Sequence, residues 1–152
     1  MKNSSKESSE KLKILVAEEN QEACSALEER LKVLGHSVMV TQDGEDALNM
    51  FHETIPDLVF SGLTLPKLGG MELLRDVKSG SGKTLFVMIC PMSDPEKIQQ
   101  ALKKGAADFL TRPIQSRELI RSLDRLVNLK KGFIASPMTC LLYTSPSPRD
   151  RG

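Results

Sequence analysis

The segment PDLVFSGLTLPKLGGMELL, which begins at Pro56, constrains the fold of this chain more than any other stretch. The apolar run after Asp57 is typical of a buried parallel strand, and Gly69 and Gly70 mark the loop before an amphipathic helix. This order places Gly62 at the carboxyl end of the strand. In an open α/β sheet that edge holds ligands and catalytic groups. The segment therefore predicts both a parallel sheet and the place of a functional site.

Four more strand patterns alternate with helical patterns along the chain. The predicted strands are Lys13–Ala17, Ser37–Thr41, the one after Asp57, Leu85–Cys90 and Asp108–Thr111. Helical periodicity follows each strand, starting near Asn20, Asp43, Met71, Ser93 and Ser116. Because parallel strands need right-handed crossovers, five strands alternating with five helices predict an α/β fold with a doubly wound, five-stranded parallel sheet.

Three local patterns refine the helices. Apolar spacing places Leu34 on the buried face of the first helix and Ile120 on that of the last. Ser93 with Glu96 matches a capping box at the start of the fourth helix. Gly35 is the expected stop of the first helix.

The segment from Pro56 resembles the third strand and loop of the bacterial response-regulator receiver domain, whose usual pattern is PDLxLxDLxLPxxxGxEL. The resemblance covers about residues 12–130 and implies a flavodoxin-like sheet of strand order 2-1-3-4-5. The phosphoacceptor aspartate of the family falls on Gly62. Since glycine has no carboxylate to act as a nucleophile, we expect no catalytic residue here and no enzymatic activity.

The other groups of the family's site are also altered. Its Mg²⁺-binding acidic pair falls on Glu18 and Glu19, its hydroxyl on Cys90 and its lysine on Arg112. Mg²⁺ demands near-ideal geometry, a thiol is a weak hydrogen-bond donor, and arginine is planar and bulkier than lysine. We therefore expect a degenerate acidic pocket with weak or absent Mg²⁺ binding and no other cofactor. Alternatively, the two glutamates only complement a helix dipole.

Several residues around this pocket have two readings. Arg112 can bind phosphate, or can pair with one of the two glutamates and hold its loop in one state. Cys90 is a reactive thiol or an inert apolar filler. The resemblance implies that Phe109 is a switch residue, although core packing explains it equally, and that Pro113 is cis. Ser61 should point away from the site because side chains alternate along a strand.

Composition places the chain among ordinary globular proteins. It has 152 residues, of which 39% are hydrophobic and 27% charged, enough for one domain with tails. No apolar run approaches the roughly 20 residues of a membrane span. The polar start MKNSSKESSEK lacks a signal-peptide core, and the 3 cysteines show no zinc pattern. We expect a cytoplasmic protein with reduced thiols.

The ends of the chain differ from its centre. Residues 1–10 are rich in Ser, Lys and Glu and predict a disordered leader, residues 11–131 a receiver-like domain, and residues 132–152 a linker and tail. Within the tail, CLLYTSPSPRD from Cys140 to Asp150 resembles a translated sequencing adapter rather than a natural Ser/Pro-rich linker. We expect the natural protein to continue differently beyond Thr139.

Charge is unevenly distributed. Residues 1–62 carry 12 Asp or Glu against 6 Lys or Arg, whereas residues 95–131 carry 9 Lys or Arg against 4 Asp or Glu. The basic side is either a solvated face or a docking surface for an acidic protein or nucleic acid. The predicted interaction face consists of Lys97, Lys103, Lys104, Arg117, Arg121 and Arg125.

These features favour a pseudo-receiver in two-component or phosphorelay signalling, which binds partners without being phosphorylated. The expected partners are a kinase, a receiver, an output domain or a second copy, with no membrane, and nucleic acid only through a missing C-terminal domain. One alternative retains phosphoryl control through a non-standard acceptor, and another makes the chain the regulatory part of a longer protein. A nucleotide-binding enzyme is disfavoured because the acidic EENQE would repel an anion.

Overall fold

The computed structural model describes residues 11–90 and 94–132. The expected disordered leader and adapter-like tail lie outside these residues. The chain divides into two compact units, one ending at Gln115 and one beginning at Ser116. The first contains a sheet and four helices, and the second contains the last helix. The predicted domain limits at residues 11 and 131 stay a prediction.

In the described part of the chain, five strands and five helices alternate as predicted. The strands are β1 (Lys13–Ala17), β2 (Ser37–Thr41), β3 (Leu58–Gly62), β4 (Leu85–Cys90) and β5 (Asp108–Thr111). The helices are α1 (Gln21–Val33), α2 (Gly44–Thr54), α3 (Gly70–Gly80), α4 (Pro95–Lys103) and α5 (Ser116–Gly132). Within residues 11–90 and 94–132, no helix has the length and apolar character needed to cross a bilayer.

The strands form one parallel sheet of order β2-β1-β3-β4-β5, which confirms the predicted fold class and the 2-1-3-4-5 order. The α1 connection runs toward one edge of the sheet, and the connections through α2, α3 and α4 run toward the other. Because crossovers are right-handed, α1 lies on one face and α2–α4 lie on the opposite face. The carboxyl ends of all five strands meet at one edge.

A buried apolar cluster fills the α2–α4 face of the sheet. Alternate strand residues such as Leu15, Val59 and Phe86 contribute to it, together with Phe51 of α2 and Leu74 of α3. The central strands β1, β3 and β4 are buried along almost their whole length. Burial of both faces explains why these strands are nearly continuous apolar runs rather than alternating ones.

The first residue of α4 differs from the prediction. Asp94 is the N-cap, and its carboxylate accepts the Lys97 backbone N–H at 3.3 Å, with Pro95 in the first turn. Ser93, where the sequence predicts the capping box, lies outside the described residues, and the described start of α4 is capped by Asp94. An aspartate accepts free amide groups well at an N-cap, and proline is pre-organised for the first helical position, so the Asp–Pro pair determines the start.

Two predicted core residues are exposed. Leu34 is 42% exposed because it follows the last residue of α1 and the chain turns at Gly35, whose φ is +98°. Ile120 is 44% exposed, whereas Leu119, Leu123 and Leu126 of α5 are buried. The buried residues of α5 recur every three or four positions, and Ile120 lies one position off that stripe.

Candidate functional site

Glu18 points into the carboxyl edge of the sheet, and Glu19 points outward. The Glu18 backbone N–H donates to the Thr41 carbonyl at 3.1 Å, so the residue after β1 still pairs with β2. Successive side chains of extended backbone point in opposite directions. Glu18 is consequently buried and Glu19 is exposed. The predicted acidic pair is thus split between the interior and the surface.

Arg112 reaches Glu18 from the other side of the site. Its backbone N–H donates to the Cys90 carbonyl at 3.0 Å, which holds the loop after β5 against the end of β4. Its Nη2 donates to Glu18 Oε1 and Oε2 at 2.5 Å each. The Glu18 side chain is 3% exposed and that of Arg112 is 31% exposed. Arg112 therefore pairs with Glu18, one of its two predicted partners, and links the loops that follow β1 and β5.

The ion pair lies next to the space that a side chain at residue 62 would take. A Cβ atom at residue 62 would lie 3.3 Å from Arg112 Nη2, 3.3 Å from Glu18 Oε1 and 3.5 Å from Oε2. These separations are tight for a carbon atom. An aspartate at this position would require the Glu18 and Arg112 side chains to move.

Ser61 is directed into the protein. It has no exposed surface, and its hydroxyl donates to the Gly62 carbonyl at 2.9 Å. In this arrangement the hydroxyl is closed to a phosphoryl donor in solvent.

Cys90 belongs to the apolar cluster and has no exposed surface. Burial raises the pKa of its thiol, the Asp94 carboxylate raises it further, and Arg112 lowers it. Because the thiolate is the reactive form, the thiol is a poor nucleophile at neutral pH. The geometry favours the reading of Cys90 as an apolar filler.

Phe109 of β5 precedes Arg112, and Pro113 follows Arg112 directly. Phe109 is partly buried in β5, opposite Met88 of β4 in the sheet register. The Arg112–Pro113 peptide bond is cis, as the resemblance implied, and Pro113 is exposed. The switch role of Phe109 stays a prediction.

Two cavities share the Glu18–Arg112 pair. The polar cavity, of about 460 Å³, is lined by that pair and by Glu19, Asn20, Gln21 and Thr64. The apolar cavity, of about 440 Å³, has a lining of Ala23, Ala26, Leu27, Ile89, Pro113 and Ile114. Glu18, Arg30 and Arg112 supply its charged groups.

Sequence reasoning missed Thr64 and Arg30. Thr64 could have been found, because it lies two residues beyond Gly62 in a loop at the predicted edge. Arg30 gives no such signal. It lines a cavity only because its Nη1 donates to the Ile114 carbonyl at 2.9 Å, across 84 residues of sequence.

The residues present do not fit a Mg²⁺ site. Both carboxylate oxygens of Glu18 accept hydrogen bonds from the Arg112 cation, and Gly62 offers no ligand. Mg²⁺ requires several oxygen ligands in octahedral geometry. Within residues 11–90 and 94–132, no three His, Cys, Asp or Glu side chains are grouped to hold a metal ion.

All six predicted interaction residues are exposed. Lys97, Lys103 and Lys104 lie on or directly after α4. Arg117, Arg121 and Arg125 lie on α5, where Arg121 pairs with Glu118 at 3.1 Å. Both groups of cations thus face the solvent.

The fold and this edge define a receiver-type protein. The model of the response regulator receiver domain matches residues 14–124. The chain therefore belongs to the response regulator receiver domain family, whose members act in two-component signalling.

Similar proteins agree with this assignment. The probable transcriptional regulator ycf27 of Guillardia theta is 31% identical over 132 residues, which are 85% of this chain and 51% of that protein. The chain thus spans about half the length of this curated relative. A receiver domain protein of Clostridium thermocellum is 26% identical, with a TM-score of 0.74 over 78% of this chain and 96% of its own. NtrX of Brucella abortus is 27% identical, with a TM-score of 0.76 over 80% of this chain and 28% of its own.

Proposed function

We propose that this receiver domain is a phosphorylation-independent interaction module, a pseudo-receiver without enzymatic activity. The observation that carries this proposal is the Glu18–Arg112 ion pair over Gly62. The acceptor position has no carboxylate, the ion pair lies against the space of its side chain, and the Glu18 carboxylate is neutralised by Arg112. Such a site has no nucleophile for a phosphoryl group and no free ligand set for a metal.

The ion pair also suggests how the domain works. It joins the loops after β1 and β5 through charge-assisted hydrogen bonds, which are stronger than neutral ones. In this proposal the two loops stay in one arrangement and present one surface to partners, without the two states of a phosphorylated switch.

Incubation with acetyl phosphate and Mg²⁺, followed by intact-mass measurement, tests the proposal. We expect no change in mass under conditions that label a receiver carrying an acceptor aspartate. A gain of one phosphoryl group would overturn phosphorylation independence.

One observation favours a second candidate, in which a non-standard acceptor retains phosphoryl control. Thr64 is exposed, and it lines the polar cavity beside Arg112 and Glu19. If the intact mass rises, Thr64→Val should abolish the gain in this reading. Persistence of the gain in that variant would exclude Thr64 as the acceptor.

The proposed setting is cytoplasmic signalling with a kinase, another receiver, an output domain or a second copy as partner. The exposed cations of α4 and of α5 support an acidic partner surface. The relative from Guillardia theta is named as a transcriptional regulator and is about twice as long as the matched part. By analogy we propose that an output domain, where one is attached, provides any contact with nucleic acid.

A further inference from the structure

We propose that the apolar cavity beside α1 binds a small amphipathic carboxylate, which acts on the Glu18–Arg112 pair. This inference rests on the proposed function, since it supplies a non-phosphoryl input to the same site.

The cavity has the size and lining of a small-molecule site. Its volume of about 440 Å³ falls within the range of roughly 300–1,000 Å³ typical of ligand pockets. Ala23 and Ala26 are one helical turn apart on α1, and their short side chains leave space opposite Pro113 and Ile114. The lining therefore suits an apolar ligand body.

The charges around the cavity favour an anion. Arg30 and Arg112 line it against one carboxylate, Glu18, so the lining carries an excess positive charge. Arg30 is exposed, and its Nη1 donates to the Ile114 carbonyl in the hydrogen bond of 2.9 Å. Its remaining N–H groups can donate to a carboxylate in a bidentate manner.

The polar cavity, in contrast, disfavours an anion. Glu18 and Glu19 line it with Arg112 as the only cation among its lining residues, so it repels an anion. Because the same ion pair lines both cavities, a ligand in the apolar cavity touches the pair from the side away from Glu19. A ligand bound in the apolar cavity would thereby stabilise the loop after β5.

Titration with sodium octanoate, followed by amide NMR, tests the assignment, with octylamine as the cationic counterpart of equal chain length. We expect millimolar or tighter affinity for octanoate, with shifts of the Ala23, Ala26 and Ile114 amide signals, and much weaker binding of octylamine. Arg30→Gln should weaken octanoate binding by about tenfold, the effect of losing one charge-assisted contact. Ala26→Leu should abolish binding by filling the cavity.

Arg75→Gln is the matched control, because Arg75 is an exposed arginine of α3 that does not line the cavity. It should bind octanoate as the wild type does. Equal binding of octanoate and octylamine, no binding of octanoate, or binding unaffected by both Arg30→Gln and Ala26→Leu would overturn the inference. None of these results changes the intact mass after acetyl phosphate treatment, so the proposed function is tested separately.

Discussion

At the scale of single residues, Glu18 and Arg112 determine the character of the site. A carboxylate that is 3% exposed needs a partner, because burial of an unpaired charge is strongly unfavourable. Arg112 is that partner, and it can reach Glu18 because residue 62 has no side chain between them. The glycine at position 62 and the arginine at position 112 are thus physically connected.

Arg112→Gln should destabilise the domain by about 2–3 kcal/mol, because Glu18 would remain buried without a cation. The expected value lies at or below the lower limit of the roughly 3–5 kcal/mol for breaking a buried pair, since the Arg112 side chain is 31% exposed. Urea unfolding measures the difference. The double variant Glu18→Gln/Arg112→Gln removes both charges and should recover part of the loss. Equal stabilities of the single and double variants would contradict a coupled pair.

Gly62→Asp alone should not restore rapid phosphorylation. The new carboxylate would enter the space of the ion pair and compete with Glu18 for a single guanidinium. Cys90 and Arg112 would still differ from the family's hydroxyl and lysine. Intact-mass kinetics with acetyl phosphate and Mg²⁺ measure the rate. Labelling as fast as that of an ordinary receiver would show that the surrounding groups are sufficient.

At the scale of elements, the loop after β3 is attached to the start of α2. The Gly44 N–H donates to the Pro66 carbonyl at 3.0 Å, and the Lys67 ammonium lies 3.2 Å from the Asp43 carboxylate. Lys67 has a φ of +71°, an uncommon conformation for a side-chain-bearing residue. The contacts with α2 hold the loop in this conformation next to the site.

Gly44→Ala should destabilise the domain by about 2–3 kcal/mol, the range of a forced overlap in a packed region. A Cβ atom at residue 44 would lie within 1.8 Å of the Leu68 carbonyl oxygen, so the loop after β3 must move. Gly82→Ala is the control, because nothing lies within 4 Å of its added carbon. Thermal unfolding compares the two. Equal melting temperatures would contradict the close approach of α2 and the loop.

His36 connects the start of β1 to the turn before β2. Its Nδ1 accepts the Leu12 backbone N–H at 3.1 Å, and burial lowers the pKa of the imidazole. The folded state therefore favours neutral His36. Its contribution to stability is complete above the unfolded pKa of about 6.5 and is lost as the pH falls through the folded pKa.

Melting temperatures at pH 7.5 and pH 5.5, values chosen to lie about one unit on either side of the unfolded pKa, test this coupling. The wild type should lose more stability on acidification than His36→Gln, in which the amide oxygen accepts the same N–H without titrating. Equal losses in both proteins would mean that His36 does not couple folding to protons.

At the scale of the whole molecule, the parallel sheet brings distant residues to one edge. The loops after β1, β3 and β5 are far apart in sequence, yet the hydrogen-bonded Glu18 and Arg112 lie beside Gly62. The strands β1 and β3 that carry two of these loops are buried along almost their whole length, whereas β5 is partly buried.

Mg²⁺ should leave the unfolding transition of the wild type unchanged when ionic strength is held constant. A ligand that binds only the folded state raises the melting temperature further as its concentration exceeds its dissociation constant, and this site lacks a fitting ligand set. The variant Gly62→Asp/Arg112→Lys is the comparison, since it supplies a third carboxylate and removes the guanidinium that engages both oxygens of Glu18. A Mg²⁺-dependent rise in the wild type equal to that of the variant would contradict the misfit.

Much of the architecture could be predicted, because its signals are local. The strands at Lys13, Ser37, Leu85 and Asp108 have the predicted bounds, since apolar runs and glycine or proline breaks are read within a few residues. The errors at Leu34 and Ile120 also have local causes, because Leu34 follows the last residue of α1 and Ile120 lies one position off the buried stripe of α5.

The resemblance to the receiver family implied the predicted members of the candidate site, Glu18, Glu19, Gly62, Cys90 and Arg112. Their positions at strand ends are consistent with one shared site, because parallel strands share a carboxyl edge. Their roles do not follow from position alone. Which of them pair, and which are closed to solvent, depends on side-chain direction and on distances across the edge.

The sequence by itself determined the order of the elements, the parallel sheet and the place of Gly62 at a strand end, since each depends on residues that are neighbours in the chain. Only the tertiary structure decided that Glu18 rather than Glu19 pairs with Arg112, that Ser61 is enclosed, and that Arg30 lines a cavity. The physical reason is that ion pairs, burial and cavities depend on distances between side chains from different elements, which packing alone sets.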